Sequence, residues 1–248
     1  GNTRTITSSV GVDTTGGVAF SSTAVEGDNV INGAEASEGV VLTGQALPGS
    51  TVSIAMSGGG SYTANVAADG SWSVNIPSGD INAGEYDVTF TATATSPAGN
   101  VATSTLSLDV DTLVQPFGLD ANASLADNVL NGNEVTGGLT LTGTTEQGAT
   151  VQVKIGNVTK EATVDSSGNW TVDFSSSDIP AGEYATFMTI TSTDQAGNVN
   201  EMRQGVTVDT VAGDVALIDL DSDGAIKITS KKAKAKPKAK AEPEAEAA

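Results

Sequence analysis

Carboxylates carry most of the chemistry available to this chain. Asp219-Leu220-Asp221-Ser222-Asp223-Gly224 sets three of them at alternate positions, ahead of a Gly that permits a sharp turn. Calcium takes oxygen ligands from Asp, Glu, Asn and backbone carbonyls, and this spacing matches the front of a calcium loop. It is not an EF-hand, because the twelfth position is Ser230, where that loop has Glu, and no flanking helix is apparent. An acidic surface turn is the plainer reading of the same residues. A second set of carboxylates recurs along the chain. Asp13, Asp111 and Asp209 stand at equal intervals, with Asp28 and Glu35 after the first and Asp127 and Glu134 after the second.

Other chemistries have little to work with. No Cys and no His are present. That removes disulfides, thiol catalysis, the usual zinc ligands and the commonest general base. Ser and Thr abound, but a Ser nucleophile would have only Lys or a carboxylate as its base. Gly58-Gly59-Gly60 lies between two strand-like segments and reads as a hairpin turn, not a phosphate loop. No catalytic constellation is expected.

Charge narrows the partners. The net charge is -19, and residues 1–226 hold 27 acidic residues against four basic ones, Arg4, Lys154, Lys160 and Arg203. Such a body repels nucleic-acid backbones and anionic lipid headgroups and attracts cations. No run of 18 apolar residues is present, so no helical membrane insertion is expected. The chain starts at Gly1 and shows no signal peptide, and we expect a fragment of a longer protein.

The elements that must position these carboxylates are repeated. Asn29-Val30-Ile31-Asn32-Gly33 returns as Asn128-Val129-Leu130-Asn131-Gly132, and Leu42-Thr43-Gly44 as Leu141-Thr142-Gly143. Asp69-Gly70-Ser71-Trp72 returns as Ser167-Gly168-Asn169-Trp170, and Ala83-Gly84-Glu85-Tyr86 as Ala181-Gly182-Glu183-Tyr184. Ala98-Gly99-Asn100 and Val110-Asp111-Thr112 return as Ala196-Gly197-Asn198 and Val208-Asp209-Thr210. The expected organisation is the last strand of an upstream repeat over 1–14, full repeats over 15–112 and 113–210, an Asp-rich segment over 211–230 that opens a further module, and a disordered Lys/Glu/Ala/Pro tail over 231–248.

Inside a repeat the apolar period is two. Val52, Ile54 and Met56 alternate with polar or small residues, as do Trp72, Val74 and Ile76, and Tyr86, Val88 and Phe90. Turn residues separate them, and no segment shows a 3.6-residue stripe. The expectation is an all-β chain of tandem immunoglobulin-like sandwiches, each of six or seven antiparallel strands, with its one Trp plugging the core. Loops of such sandwiches gather at the two poles, so the recurring Asp and Glu residues of neighbouring repeats should converge at the junctions, where calcium would relieve their repulsion. The plainer alternative is a flexible junction with solvated carboxylates.

In combination these motifs resemble the immunoglobulin-like repeats of giant bacterial surface adhesins, the biofilm-associated and RTX-type proteins exported by type I secretion. The resemblance covers about residues 1–212. It implies extracellular stalk domains, often stiffened by calcium, that hold an adhesive tip away from the cell. Such repeats usually carry an Asp before Ala-Gly-Asn, which makes Asp194 a further ligand candidate in the second repeat, whereas the first has Ser96-Pro97. The expected partners are neighbouring repeats of the same chain and calcium ions. A glycan- or protein-binding sandwich is the competing reading, and exposed aromatics on one face would favour it.

Overall fold

The computed structural model describes residues 16–211, residues 3, 4, 6 and 7, and the backbone of two short strands, 217–220 and 226–229. The rest of the expected upstream strand, with Asp13, lies outside the described residues. So do Asp221, Asp223 and the expected disordered tail over 231–248.

Alternation becomes strand wherever one face has a core to cover. The first repeat contains β1 (Val18–Phe20), β2 (Val30–Ile31), β3 (Val40–Ala46), β4 (Thr51–Met56), β5 (Ser61–Val66), β6 (Ser71–Ile76), β7 (Glu85–Thr95) and β8 (Val101–Asp111). They join in the order β1-β3-β6-β5-β4-β7-β8-β2. β5 makes the sandwich one continuous sheet, because its start pairs with β4 and its end, Asn65 and Val66, pairs with β6. Val52, Ile54, Trp72, Val74, Ile76, Val88, Phe90, Leu108 and Val110 share the core between the layers.

The second repeat follows the same path through β9 (Gly118–Leu119), β10 (Val129–Asn131), β11 (Leu139–Thr144), β12 (Thr150–Ile155), β13 (Val158–Glu161), β14 (Thr163–Val164), β15 (Asn169–Phe174), β16 (Glu183–Thr193) and β17 (Val199–Asp209). Here a break at Ala162 divides the strand that corresponds to β5. Two separate sheets result, β10-β17-β16-β12-β13 and β14-β15-β11-β9. A final hairpin pairs β18 (Leu217–Leu220) with β19 (Ile226–Thr229) and sets the backbone of Asp219 opposite Lys227.

Two features were not predicted by the alternation. Each repeat ends one sheet edge with a short parallel pair, β2 with β8 and β10 with β17. Strands of two or three residues are too short to leave a readable alternation. Each repeat also has a six-residue helix, α1 (Gly33–Glu38) and α2 (Gly132–Gly137). Asn32 and Asn131 cap these helices in full capping boxes with Glu35 and Glu134. One and a half turns are too few for an apolar stripe.

Both tryptophans are buried, Trp72 at 3% exposure and Trp170 at 0%. Each lies against the glycine of a Leu-Thr-Gly motif. A Cβ on Gly44 would stand 2.1 Å from the Ala19 carbonyl oxygen and 2.3 Å from the Trp72 ring. On Gly143 it would stand 2.1 Å from the Gly118 oxygen and 2.6 Å from the Trp170 ring. The motif therefore recurs because backbone and indole occupy the space a side chain would need. The copies differ at the indole nitrogen. Trp170 Nε1 donates to the carbonyls of Gly118 and Thr144 at 3.2 and 3.3 Å, while Trp72 Nε1 is buried without a hydrogen-bond partner.

Candidate metal centre

Two of the repeated motifs meet at the trailing pole of each sandwich. In the β7–β8 ladder Glu85 stands directly opposite Asp111, and in β16–β17 Glu183 stands opposite Asp209. The Thr that follows each Asp locks this end. Thr112 Oγ1 accepts from Gly84 N at 2.7 Å while Thr112 N donates to the Gly84 carbonyl at 3.1 Å. Thr210 and Gly182 repeat the pair at 2.7 and 3.0 Å. The Val-Asp-Thr and Ala-Gly-Glu-Tyr motifs thus form one device, which fixes two like charges across a strand pair. That arrangement is destabilising unless something offsets it.

At the junction of the two repeats, the second brings more carboxylate. Glu146, from the β11–β12 loop, accepts from Gln115 N at 3.3 Å through Oε2. Asp194, from the β16–β17 loop, is 7% exposed. Carboxylate oxygens of Glu85, Asp111 and Glu146 all lie within 4.8 Å of one another. Asn198 joins the two repeats beside them. Its Nδ2 donates to the Asp111 carbonyl at 2.8 Å, to Asp111 Oδ1 at 3.1 Å and to Asp194 Oδ2 at 2.8 Å. Its Oδ1 accepts from Gly33 N, at the start of α1, at 2.7 Å. Val114, in the short connection between repeats, is buried as well.

The electrostatics record the crowding. Burial, then the charges of Asp194 and Glu85, push the Asp111 carboxyl above its ordinary value. Glu146 is raised in the same way, by burial first and then by Asp111, Asp194 and Glu85, with the Gln115 amide acting against the shift. The donors here are oxygens alone. Carboxylates from two domains, held at one point and short of positive charge, fit a hard divalent cation such as calcium.

The sequence-predicted residues divide three ways. Asp111 enters this cluster, and Asp194 stands beside it, joined to Asp111 through Asn198. Asp28 and Asp127 accept from Val30 N and Val129 N at 2.9 and 3.0 Å, while Glu35 and Glu134 accept from Asn32 N and Asn131 N at 2.9 Å each, so all four hold local turns and caps. Asp209 repeats the position of Asp111 at the far end of the second repeat. Of the terminal set, only the backbone of Asp219 is described, in β18.

Two cluster members escaped the sequence reading. Glu85 belongs to a motif whose recurrence opposite Val-Asp-Thr was a usable signal. Glu146 has no such signal, because its counterpart in the first repeat is Leu47.

Residues 9–112 match the Bacterial Ig-like domain and residues 126–210 match the Bacterial Ig domain. The chain belongs to these bacterial immunoglobulin-like domains, two in tandem. It is similar to a Ca2+-stabilized adhesin of an Antarctic bacterium that binds ice, at 32% identity over 86% of this chain and 54% of that one, with a TM-score of 0.48. A 1.5-MDa bacterial ice-binding adhesin is similar at 30% identity over 78% of this chain and 64% of that one, also with a TM-score of 0.48. A tetra-tandem repeat from the extending region of a large adhesion protein follows at 22% identity over 84% of this chain and 53% of that one, with a TM-score of 0.32. The chain thus spans between about half and two thirds of the length of these structures. No curated protein sequence matches it.

Proposed function

We propose that these repeats are extender modules in the stalk of a bacterial surface adhesin, and that calcium held between them stiffens the stalk. The observation that carries this is the convergence of Glu85 and Asp111 from one repeat with Glu146 and Asp194 from the next. Each domain alone keeps its carboxylates apart from the other's. Docking brings them together, so a cation at this point stabilises the docked arrangement more than the separated one.

Glu85, Asp111 and Glu146 would hold the ion, with the charge of Asp194 beside them. The ion would supply charge neutralisation and no reaction. Extracellular modules hold calcium with dissociation constants of about 10⁻⁴–10⁻³ M, and a site at a hundredfold excess of ion stabilises its docked state by about 2.7 kcal/mol. A structural, non-catalytic role is supported by the two domain matches, and an extracellular location by the same resemblance.

Small-angle scattering of the full chain, in millimolar calcium and then in excess chelator, tests the reading. A narrower distribution of inter-repeat distances in calcium is expected. Superimposable curves would leave the repeats as plain acidic spacers.

A further inference from the structure

The outer face of the β16–β17 sheet holds a constellation that neither the sandwich core nor the junction uses. Phe187 points outward and is 52% exposed. The Arg203 guanidinium carbon sits 3.7 Å from the centre of its ring. Lys154 is one strand further along the same row, since Thr189 pairs with Arg203 on one side and with Lys154 on the other. Gln152 and Glu201 occupy the next row, opposite Thr191. Together these residues line an open groove of about 490 Å³.

A single exposed Phe is ordinary on a protein surface. Gly205, directly opposite Phe187, is not explained so easily. A glycine inside a strand weakens it, and marks a bulge, a bend, or a place where a ligand or another backbone comes close. The β16–β17 ladder runs in unbroken register from Glu183↔Asp209 to Thr193↔Val199, so no bulge is present. Gly205 is not among the glycines with positive φ, and a Cβ there would meet nothing within 4 Å. What its missing side chain does is leave open space beside an aromatic ring.

The first repeat supplies the control. On the same scaffold the positions of Lys154, Phe187, Arg203 and Gly205 are Ala55, Thr89, Thr105 and Ser107. The sandwich therefore needs none of the four. Charge sharpens the contrast. Residues 1–226 contain four basic side chains, and two of them stand on this face. Among the described residues the one ion pair is Lys160 with Asp178, so Lys154 and Arg203 have no carboxylate partner. Stacking uses the face of the guanidinium and holds its plane, leaving the fork of N–H donors directed along that plane. A pre-oriented, unpaired fork suits a carboxylate. A flat apolar ring beside an open shelf suits the C–H face of a sugar, with Lys154, Gln152 and Glu201 in reach of hydroxyls.

We propose that this face binds a carboxylate-bearing glycan, with the carboxylate on Arg203 and Lys154 and the pyranose over Gly205 against Phe187. The binding is separate from the calcium junction, which lies at the strand end about 20 Å away, seven residues at the usual strand rise. Long-range repulsion from the acidic body limits the affinity for long polyanions, but salt at physiological strength screens it beyond about 8 Å.

The test is a calorimetric titration of the full chain in 0.15 M salt with chelator present, so that calcium bridging plays no part. The probes are trigalacturonate, a hyaluronan tetrasaccharide and 3′-sialyllactose, which distinguish a matrix polysaccharide from a host glycan. Trigalacturonate methyl ester and triglutamate are the controls. Saturable binding of at least one acidic sugar is expected. It should fall about tenfold or more in R203Q, since hydrogen bonds to charged groups contribute about 1.5–3 kcal/mol, and fall clearly in F187T and G205V, which remove the ring and fill the shelf. F187T installs the first repeat's residue, and G205V suits a strand while filling the shelf, so unchanged melting of both separates lost binding from lost fold. No saturable binding to any acidic sugar overturns the proposal. So does equal binding by the three variants, by the methyl ester wherever trigalacturonate is the sugar bound, or by triglutamate.

Discussion

The two repeats present different leading poles on nearly the same frame. The second brings Glu146 and Asp194 to the repeat before it. At the matching positions the first has Leu47 and Ser96. The local geometry survives the exchange. Ser96 Oγ accepts from Asn100 N at 3.1 Å, as Asp194 Oδ1 accepts from Asn198 N at 2.8 Å. The loop therefore needs an oxygen at this position but not a charge, and the charge of Asp194 is surplus to the fold. The trailing poles are alike, with Glu85 opposite Asp111 and Glu183 opposite Asp209. What repeats builds the sandwich and half of the proposed cation site. The half that does not repeat decides which junction completes it.

The largest effects should come from what the repeats share. Trp72→Ala and Trp170→Ala should each cost about 3–5 kcal/mol in denaturant unfolding, as for other buried aromatics. The copies should then part under a milder change. Trp170→Phe removes an N–H that bonds the Gly118 and Thr144 carbonyls, whereas Trp72→Phe removes an unpartnered N–H, so the first should cost about 0.5–1.5 kcal/mol more than the second. Equal costs would remove this distinction between the cores.

Next come the glycines beneath the tryptophans. Gly44→Ala and Gly143→Ala push a methyl into a backbone carbonyl and an indole, and overpacking of this kind costs about 1–3 kcal/mol or more. Melting temperatures unchanged in both variants would show that the recurrence of Leu-Thr-Gly has another cause.

A smaller effect concerns pH. Asp111 and Glu146 have folded-state values above their ordinary 3.8 and 4.5, so the folded protein holds more protons than the unfolded one just above that range. Stability in chelator should accordingly gain from these two groups as pH falls toward their ordinary values, and calcium should flatten that dependence. The effect belongs to the junction alone. Replacing Glu146 with Leu and Asp194 with Ser should weaken it, which melting curves across the range would show.

The smallest is a surface pair. Lys160 bonds Asp178 at 2.6 Å and, with the Ser175 hydroxyl and amide, holds its carboxyl down at about 2. In Lys160→Ala the carboxyl should titrate closer to its ordinary value, as read by NMR, with little change in neutral-pH stability.

How much of this was legible follows from the same division. The sandwich was readable because alternation such as Val52-Ser53-Ile54 directly reports a buried face. The buried tryptophans were readable for the same reason. Asp111 was readable as a candidate because it recurs, and Asp194 because the resemblance places an Asp before Ala-Gly-Asn. Glu35 and Glu134 show the limit. They recur as faithfully as Asp111, yet the structure uses them to cap helices too short to announce themselves. Recurrence marks what the fold reuses, and a cap is reused as surely as a ligand. Glu146 was hidden for the opposite reason, since a residue without a copy looks like any surface Glu until folding places it beside Asp111. Phe187 was hidden likewise, because an alternating strand suggests that its aromatics face inward and register alone turns this one out.

The most direct test of the calcium joint is calorimetric calcium titration of the full chain and of its Glu146→Leu, Asp194→Ser double variant, which gives the second repeat the first repeat's residues. The wild type should bind one calcium more than the variant, and only the wild type should show a chelator-reversible rise in melting temperature that arises at the junction. Identical calcium stoichiometry and identical melting shifts in the two proteins would contradict a cation site built from Glu85, Asp111, Glu146 and Asp194.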